Sequence, residues 1–85
     1  TYNRYFLRLH VEDRCGVLAE MTAVFAKYGV SVAQIIQKAA RDEGSAEVVV
    51  ITAKVREGDF RTAMEELSGR SSVRKISSML RVYGE

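Results

Sequence analysis

Hydrophobic and polar residues change their spacing several times along this chain, and each change marks an element. From Tyr5 to Val11 they alternate. Tyr5, Leu7, Leu9 and Val11 fall on one side and Phe6, Arg8 and His10 on the other, the pattern of a half-buried strand. Between Val17 and Tyr28 the period lengthens: Leu18, Met21, Phe25 and Tyr28 recur at steps of three and four, while Glu20 and Lys27 lie off that stripe. With Gly29 as a stop, this predicts a helix of about three turns. Val30 to Ala39 is rich in β-branched residues. After the polar turn Arg41-Asp42-Glu43-Gly44-Ser45, an apolar run resumes from Glu47 to Ala53, so the two segments predict a hairpin. A second helical stripe, Phe60, Ala63, Met64 and Leu67, opens at Gly58-Asp59 and closes at Ser68-Gly69. Beyond the Arg70-Ser71-Ser72 turn, Ile76, Ser78, Leu80 and Val82 alternate in a last strand.

The order β-α-β-β-α-β predicts an α+β fold of ferredoxin-like type, a four-stranded antiparallel sheet with two helices on one face. The other face then has no cover within the chain. It would carry Phe6, Arg8 and His10 with one of the two Val/Ile sets of the strand Glu47 to Ala53, an apolar area for which self-association is the simplest cover.

The segment from Val11 to Leu18 stands out chemically. A strand passes through one acidic-glycine turn straight into a helix whose first N–H groups lack intrahelical partners and whose dipole adds partial positive charge there. A small carboxylate fits such a place, and Gly16 lets the backbone approach it closely. Asp13 has two readings, a cap or acceptor for turn N–H groups and a contact for a ligand. Cys15 reads as structural or as a reactive thiol, and Arg14 as a solvated turn residue or a guide for anions.

Composition narrows the function classes. A chain of 85 residues makes a single domain, 1–85, that buries roughly 60% of its unfolded surface. The net charge of +2 comes from 13 basic and 11 acidic residues that are interspersed, so nucleic acid is not implied. One cysteine makes no internal disulfide, and neither a membrane-spanning apolar run nor a signal peptide is present, which points to a reducing, cytoplasmic setting. A start at Thr1 suggests a piece of a longer polypeptide. A lone His10 and a lone Cys15 give no nucleophile-base-orienter set and no metal cluster, so an independent enzyme is disfavoured and no catalytic or metal-binding residues are assigned. Small metal carriers of this fold need a second cysteine near the first loop. RNA-recognition domains share the element order but stack bases on aromatic residues, and Val48 to Ala53 contains none. The six glycines fall singly at element ends, with no dinucleotide fingerprint.

Asp-Arg-x-Gly-Val-Leu at 13–18, Phe25-Ala26-x-Tyr28-Gly29-Val30-Ser31-Val32 and Gln37 resemble the ACT domain, a small regulatory module that binds amino acids. Val48 to Thr52, Ala63 to Leu67 and Ser72 to Val82 look most like the ACT domain that ends many bacterial homoserine dehydrogenases. Cys15 stands where the family usually has proline, which loosens this turn. The resemblance implies regulation rather than chemistry. ACT domains pair through sheet edges or helices, with a free amino acid at the interface. Carried over, the backbone around Cys15, Gly16 and Val17, leading into Leu18, would receive a ligand carboxylate, and Asp13 would face its ammonium or hydroxyl. Ser31 and Gln37 of a partner would add polar contacts. The implied effector is threonine, the implied assembly a homodimer or higher homo-oligomer, and any NAD(P) would belong to the parent enzyme, not to this chain. The family also contains ligand-free association modules, including those of stringent-response proteins, and that alternative stays open at this point.

Overall fold

A computed structural model describes residues 1–82; Gly84, one of the six glycines, lies outside the described residues. Seven elements follow one another: β1 (Tyr2–Glu12), α1 (Val17–Lys27), β2 (Val32–Ala39), β3 (Ser45–Thr52), β4 (Val55–Arg56), α2 (Glu57–Ser68) and β5 (Val73–Val82). The four long strands lie in the order β2-β3-β1-β5, with every pair antiparallel. Both helices pack on one face, which is the ferredoxin-like arrangement that the spacing predicts.

Alternation in β1 explains the core. Tyr5, Leu7, Leu9 and Val11 are buried and meet Val48 and Val50 of β3 beneath the two helices. From α1 come Val17, Met21, Val24 and Phe25, and from α2 Phe60, Ala63, Met64 and Leu67. Each such side chain larger than that of Ala63 contributes about 1.5–3 kcal/mol when taken out of water. The stripe of α1 is wider than its periodicity indicates, because Val17 and Val24 are buried as well, while Leu18 and Tyr28 sit at its partly covered edges. The helix stops where expected. Gly29, at φ 73°, sends its N–H to Ala26 and directs Val30 N–H back to Phe25, a pair of bonds that satisfies the last carbonyls.

Two features were not legible in the pattern. β1 starts at Tyr2 because β4 pairs with Tyr2 and Asn3. β4 is β3 resumed after an interruption: between Phe6↔Ile51 and Asn3↔Val55, three steps along β1 match four on the opposing chain, a one-residue bulge. Buried Thr52 bridges the gap, its hydroxyl accepting the Tyr5 N–H at 3.0 Å. In β5, pairing jumps from Arg8↔Ser78 to Leu9↔Ile76, so Ser77 bulges out and its hydroxyl donates to the Arg8 carbonyl at 3.1 Å. This bulge corrects the simple alternation of Ile76, Ser78, Leu80 and Val82. Ile76 joins the core, whereas Ser78, Leu80 and Val82 stand opposite Arg8, Phe6 and Arg4 on the uncovered face.

That face carries Phe6, Ile36, Val49, Ile51, Leu80 and Val82 in register, with the Arg8–Glu47 ion pair at 3.0 Å beside them. The ambiguity over β3 is thereby resolved: Val48 and Val50 point to the helices, Val49 and Ile51 away from them.

Candidate functional site

The loop between β1 and α1 is short and open. Its entry is fixed by backbone: Glu12 N–H donates to the Ser72 carbonyl at 2.9 Å and Asp13 N–H to Gly44 at 3.0 Å. At its exit Gly16 takes a left-handed conformation, φ 87°, which residues with a Cβ adopt at a cost of roughly 1–2 kcal/mol. The helix bonds then begin, with Glu20 N–H on the Gly16 carbonyl at 2.9 Å.

No side chain caps α1. Asp13 is therefore not a cap. Its Oδ1 instead accepts a hydrogen bond from Gln37 Nε2 at 3.3 Å, joining the loop to β2. Val17 N–H is engaged with the Arg14 carbonyl at 3.3 Å and its side chain is buried. Among the described residues, the N–H groups of Cys15, Gly16, Leu18 and Ala19 have no acceptor. They border an open cleft of about 410 Å³ lined by residues 13–19 and Gln37. Two kinds of group thus converge there, N–H donors backed by a helix dipole and a carboxylate with a side-chain amide.

Six of the seven residues singled out in the sequence, Asp13, Cys15, Gly16, Val17, Leu18 and Gln37, come together at this cleft. Gln37 does so within the same chain. Ser31 does not join them: it precedes β2 at the far end of that strand, and its carbonyl accepts the Ala53 N–H at 2.9 Å. Cys15 is exposed. His10 is occupied elsewhere. Ser45 donates its hydroxyl proton to the Asp42 carbonyl at 2.8 Å, so its oxygen accepts from His10 Nε2 at 2.9 Å, and the Nε2 proton is thereby assigned. Among the described residues no group of three or more His, Cys, Asp and Glu is placed to hold a metal ion, and no helix is long and apolar enough to cross a membrane.

Arg14 is a solvated turn residue, 49% exposed, and it also spans the loop: its Nε lies 2.9 Å from Glu12 Oε1 and its Nη2 3.2 Å from Glu20 Oε1. The hydrogen bond to Glu12 raises its pKa above the ordinary range, with Glu20 adding to it. The signal was present as Glu12, Arg14 and Glu20, acids on both sides of one cation, but only folding brings Glu20 back to the loop.

Comparison with known proteins agrees with this geometry. A family model described as the ACT domain matches residues 5–70. The chain is 40% identical over 79 residues to a homoserine dehydrogenase from Synechocystis sp., covering 93% of this chain and 18% of that enzyme. It is 34% identical over 84 residues to a homoserine dehydrogenase from Bacillus subtilis, covering 98% of this chain and 19% of that one. The chain thus spans about a fifth of the length of the curated relatives it matches. Among solved structures, a homoserine dehydrogenase from Thiobacillus denitrificans superposes with a TM-score of 0.83 at 22% identity, over 95% of this chain and 17% of that one. The ACT domain of a GTP pyrophosphokinase from Chlorobium tepidum gives 0.65 at 20% identity, over 96% of this chain and all of that one. With its element order, its strand-to-helix loop and a family match over residues 5–70, this chain belongs to the ACT domain family.

Proposed function

We propose that this regulatory domain senses a free amino acid, threonine, at the cleft between the β1–α1 loop and Gln37, and that occupancy controls an attached homoserine dehydrogenase. The observation that carries this reading is the uncapped N-terminus of α1 with Asp13 and Gln37 beside it. A ligand carboxylate takes the N–H groups of Cys15, Gly16 and Leu18, and the ammonium takes the Asp13 oxygen that Gln37 leaves open. The hydroxyl of threonine donates to the Gln37 amide oxygen. Relatives named homoserine dehydrogenase support the choice of parent. Its hydride chemistry and NAD(P), like a cytoplasmic setting, belong to the same reading. Binding regulates by preferring one of two states of the attached enzyme.

Self-association completes the site in this account. Among the described residues β2 pairs only with β3, so its other edge is open. Antiparallel pairing of two such edges centred on Gln34 sets the partner's Ser31 opposite Gln37, which gives Ser31 a place at the cleft that it lacks within one chain.

Titration calorimetry with threonine tests the assignment. Asp13→Ala weakens binding by about 1.5–3 kcal/mol, the range for a hydrogen bond to a charged group, with an unchanged circular dichroism spectrum. Equal affinity in the variant and the wild type contradicts the role given to Asp13. Sedimentation of the domain at micromolar concentration as a dimer or larger species is the parallel expectation for β2, and a strict monomer contradicts it.

A further inference from the structure

The β1–α1 loop has little local bracing. Past Asp13 its backbone makes one internal bond, Val17 N–H to the Arg14 carbonyl; Gly16 is left-handed; and no side chain caps the helix. Arg14 is what crosses it, held by Glu12 at the end of β1 and by Glu20 in the first turn of α1. Glu20 is itself held. Its second oxygen lies 3.3 Å from Arg70 Nη1, and Arg70 Nη2 lies 3.1 Å from Glu66 Oε2. Glu66 Oε1 then takes Lys27 Nζ at 3.0 Å and the Tyr28 hydroxyl. Cations and carboxylates therefore alternate without a gap from the loop, across α1 and α2, to the residue that ends α1. Glu20 and Glu66 are 24% and 23% exposed while Arg14, Arg70 and Lys27 are 49%, 41% and 59% exposed, so partly sheltered carboxylates are each shared between cations that face water.

We propose that Glu20 and Arg70 are positioning residues: together they hold Arg14, and through it the loop 13–16, in the form that receives a ligand, and they tie that form to the packing of α1 on α2. The affinity part of this inference rests on the reading of the cleft as an amino-acid site; the ordering of the loop does not. Among the described residues Arg70 makes no hydrogen bond or ion pair with residues 13–16, its partners being Glu20 and Glu66, so an effect of Arg70 on the loop separates transmission along the chain of ion pairs from local support. By reciprocity, a ligand that fixes the loop stabilises the same helix arrangement.

Nitrogen-15 relaxation of the whole domain tests it, with E20Q, R70Q and, as control, E65Q, an exposed acid with no ion pair among the described residues. In the wild type the Cys15 and Gly16 amides have order parameters near about 0.85, and in E20Q and R70Q these fall toward about 0.6 while the strands are unchanged. Threonine affinity falls about three- to fivefold in both variants, the scale of one ion pair, and E65Q alters neither quantity. Unchanged loop order in E20Q or R70Q overturns the proposal. So does a loss of order spread over the whole domain, and so does a looser loop with unaltered threonine affinity. A wild type that takes up no threonine refutes the amino-acid reading and with it the affinity part, while the order parameters still decide whether Glu20 and Arg70 hold the loop.

Discussion

Strand passes into helix twice in this molecule, by different means. At the first junction four residues, 13–16, separate β1 from α1; at the second, β4 ends at Arg56 and α2 begins at Glu57. Neither helix has a side-chain cap. At the second junction Glu57 N–H meets the Thr1 carbonyl at 3.0 Å, as Val17 N–H meets Arg14 at the first, and Glu57 and Asp59, paired with Arg61 and Arg56, place two carboxylates in the first turn, where a helix dipole favours them. At the first, the acid in the opening turn is Glu20, already committed to Arg14 and Arg70, and the N–H groups face an open cleft. Equal backbone chemistry thus meets different surroundings, a cleft with Asp13 and Gln37 beside the first helix start and two first-turn carboxylates at the second. The difference lies in the connection: four loop residues with Asp13 and Gln37 beside them lead into the first helix, and none into the second.

The tight second junction depends on the bulge that delivers β4 to α2. Thr52→Val removes the buried acceptor of Tyr5 N–H and lowers stability in urea denaturation by about 1–3 kcal/mol, the cost of an orphaned buried donor. A loss near zero would mean that water or a shifted backbone replaces the hydroxyl. Glycine substitution then contrasts the junctions directly. Gly16→Ala costs about 1–2 kcal/mol, since φ 87° is strained for any residue with a Cβ, even though nothing lies within 4 Å of the added methyl. Gly58→Ala, inside α2 with no left-handed φ and no close neighbour, gains about 0.5–1 kcal/mol. Equal signs in the same denaturation assay would erase the distinction between the two helix starts.

The smallest effect concerns the helix layer that both junctions feed. The Tyr28 hydroxyl first, then Lys27 and Arg70, bring the Glu66 pKa from 4.5 down to about 2. A carboxylate lowered in the folded state stabilises fully above its unfolded pKa and loses that contribution as pH falls through the folded one. The stability difference between the wild type and Glu66→Gln is therefore constant above pH 4.5 and shrinks between pH 4.5 and about 2. A difference independent of pH over that window would show that Glu66 acts only by packing.

Local periodicity carried the fold because its determinants are local. Tyr5, Leu7, Leu9 and Val11 declare one face of β1, and Met21, Phe25, Met64 and Leu67 declare the helix stripes. The parts it missed depend on partners distant in sequence. Tyr2 and Asn3 become strand only because Val55 and Arg56 pair with them, and Ser77 bulges only because β1 sets the register of β5. The site divides along the same line. An acidic-glycine turn before an amphipathic helix was visible at Asp13 to Leu18, whereas the bond between Gln37 and Asp13, and the closure of Arg14 on Glu20, appear only when β2 and α1 return to the loop.

The most direct test of the central claim, that the first junction receives an amino acid and the second does not, is an amide-resolved titration of the isotope-labelled domain with threonine. Saturable shifts are expected only at residues 13–19 and at Gln37 with its strand neighbours, and none at Glu57 to Arg61. Shifts at Glu57 to Arg61, or none anywhere, would contradict that claim, and the second outcome would make the domain a ligand-free association module.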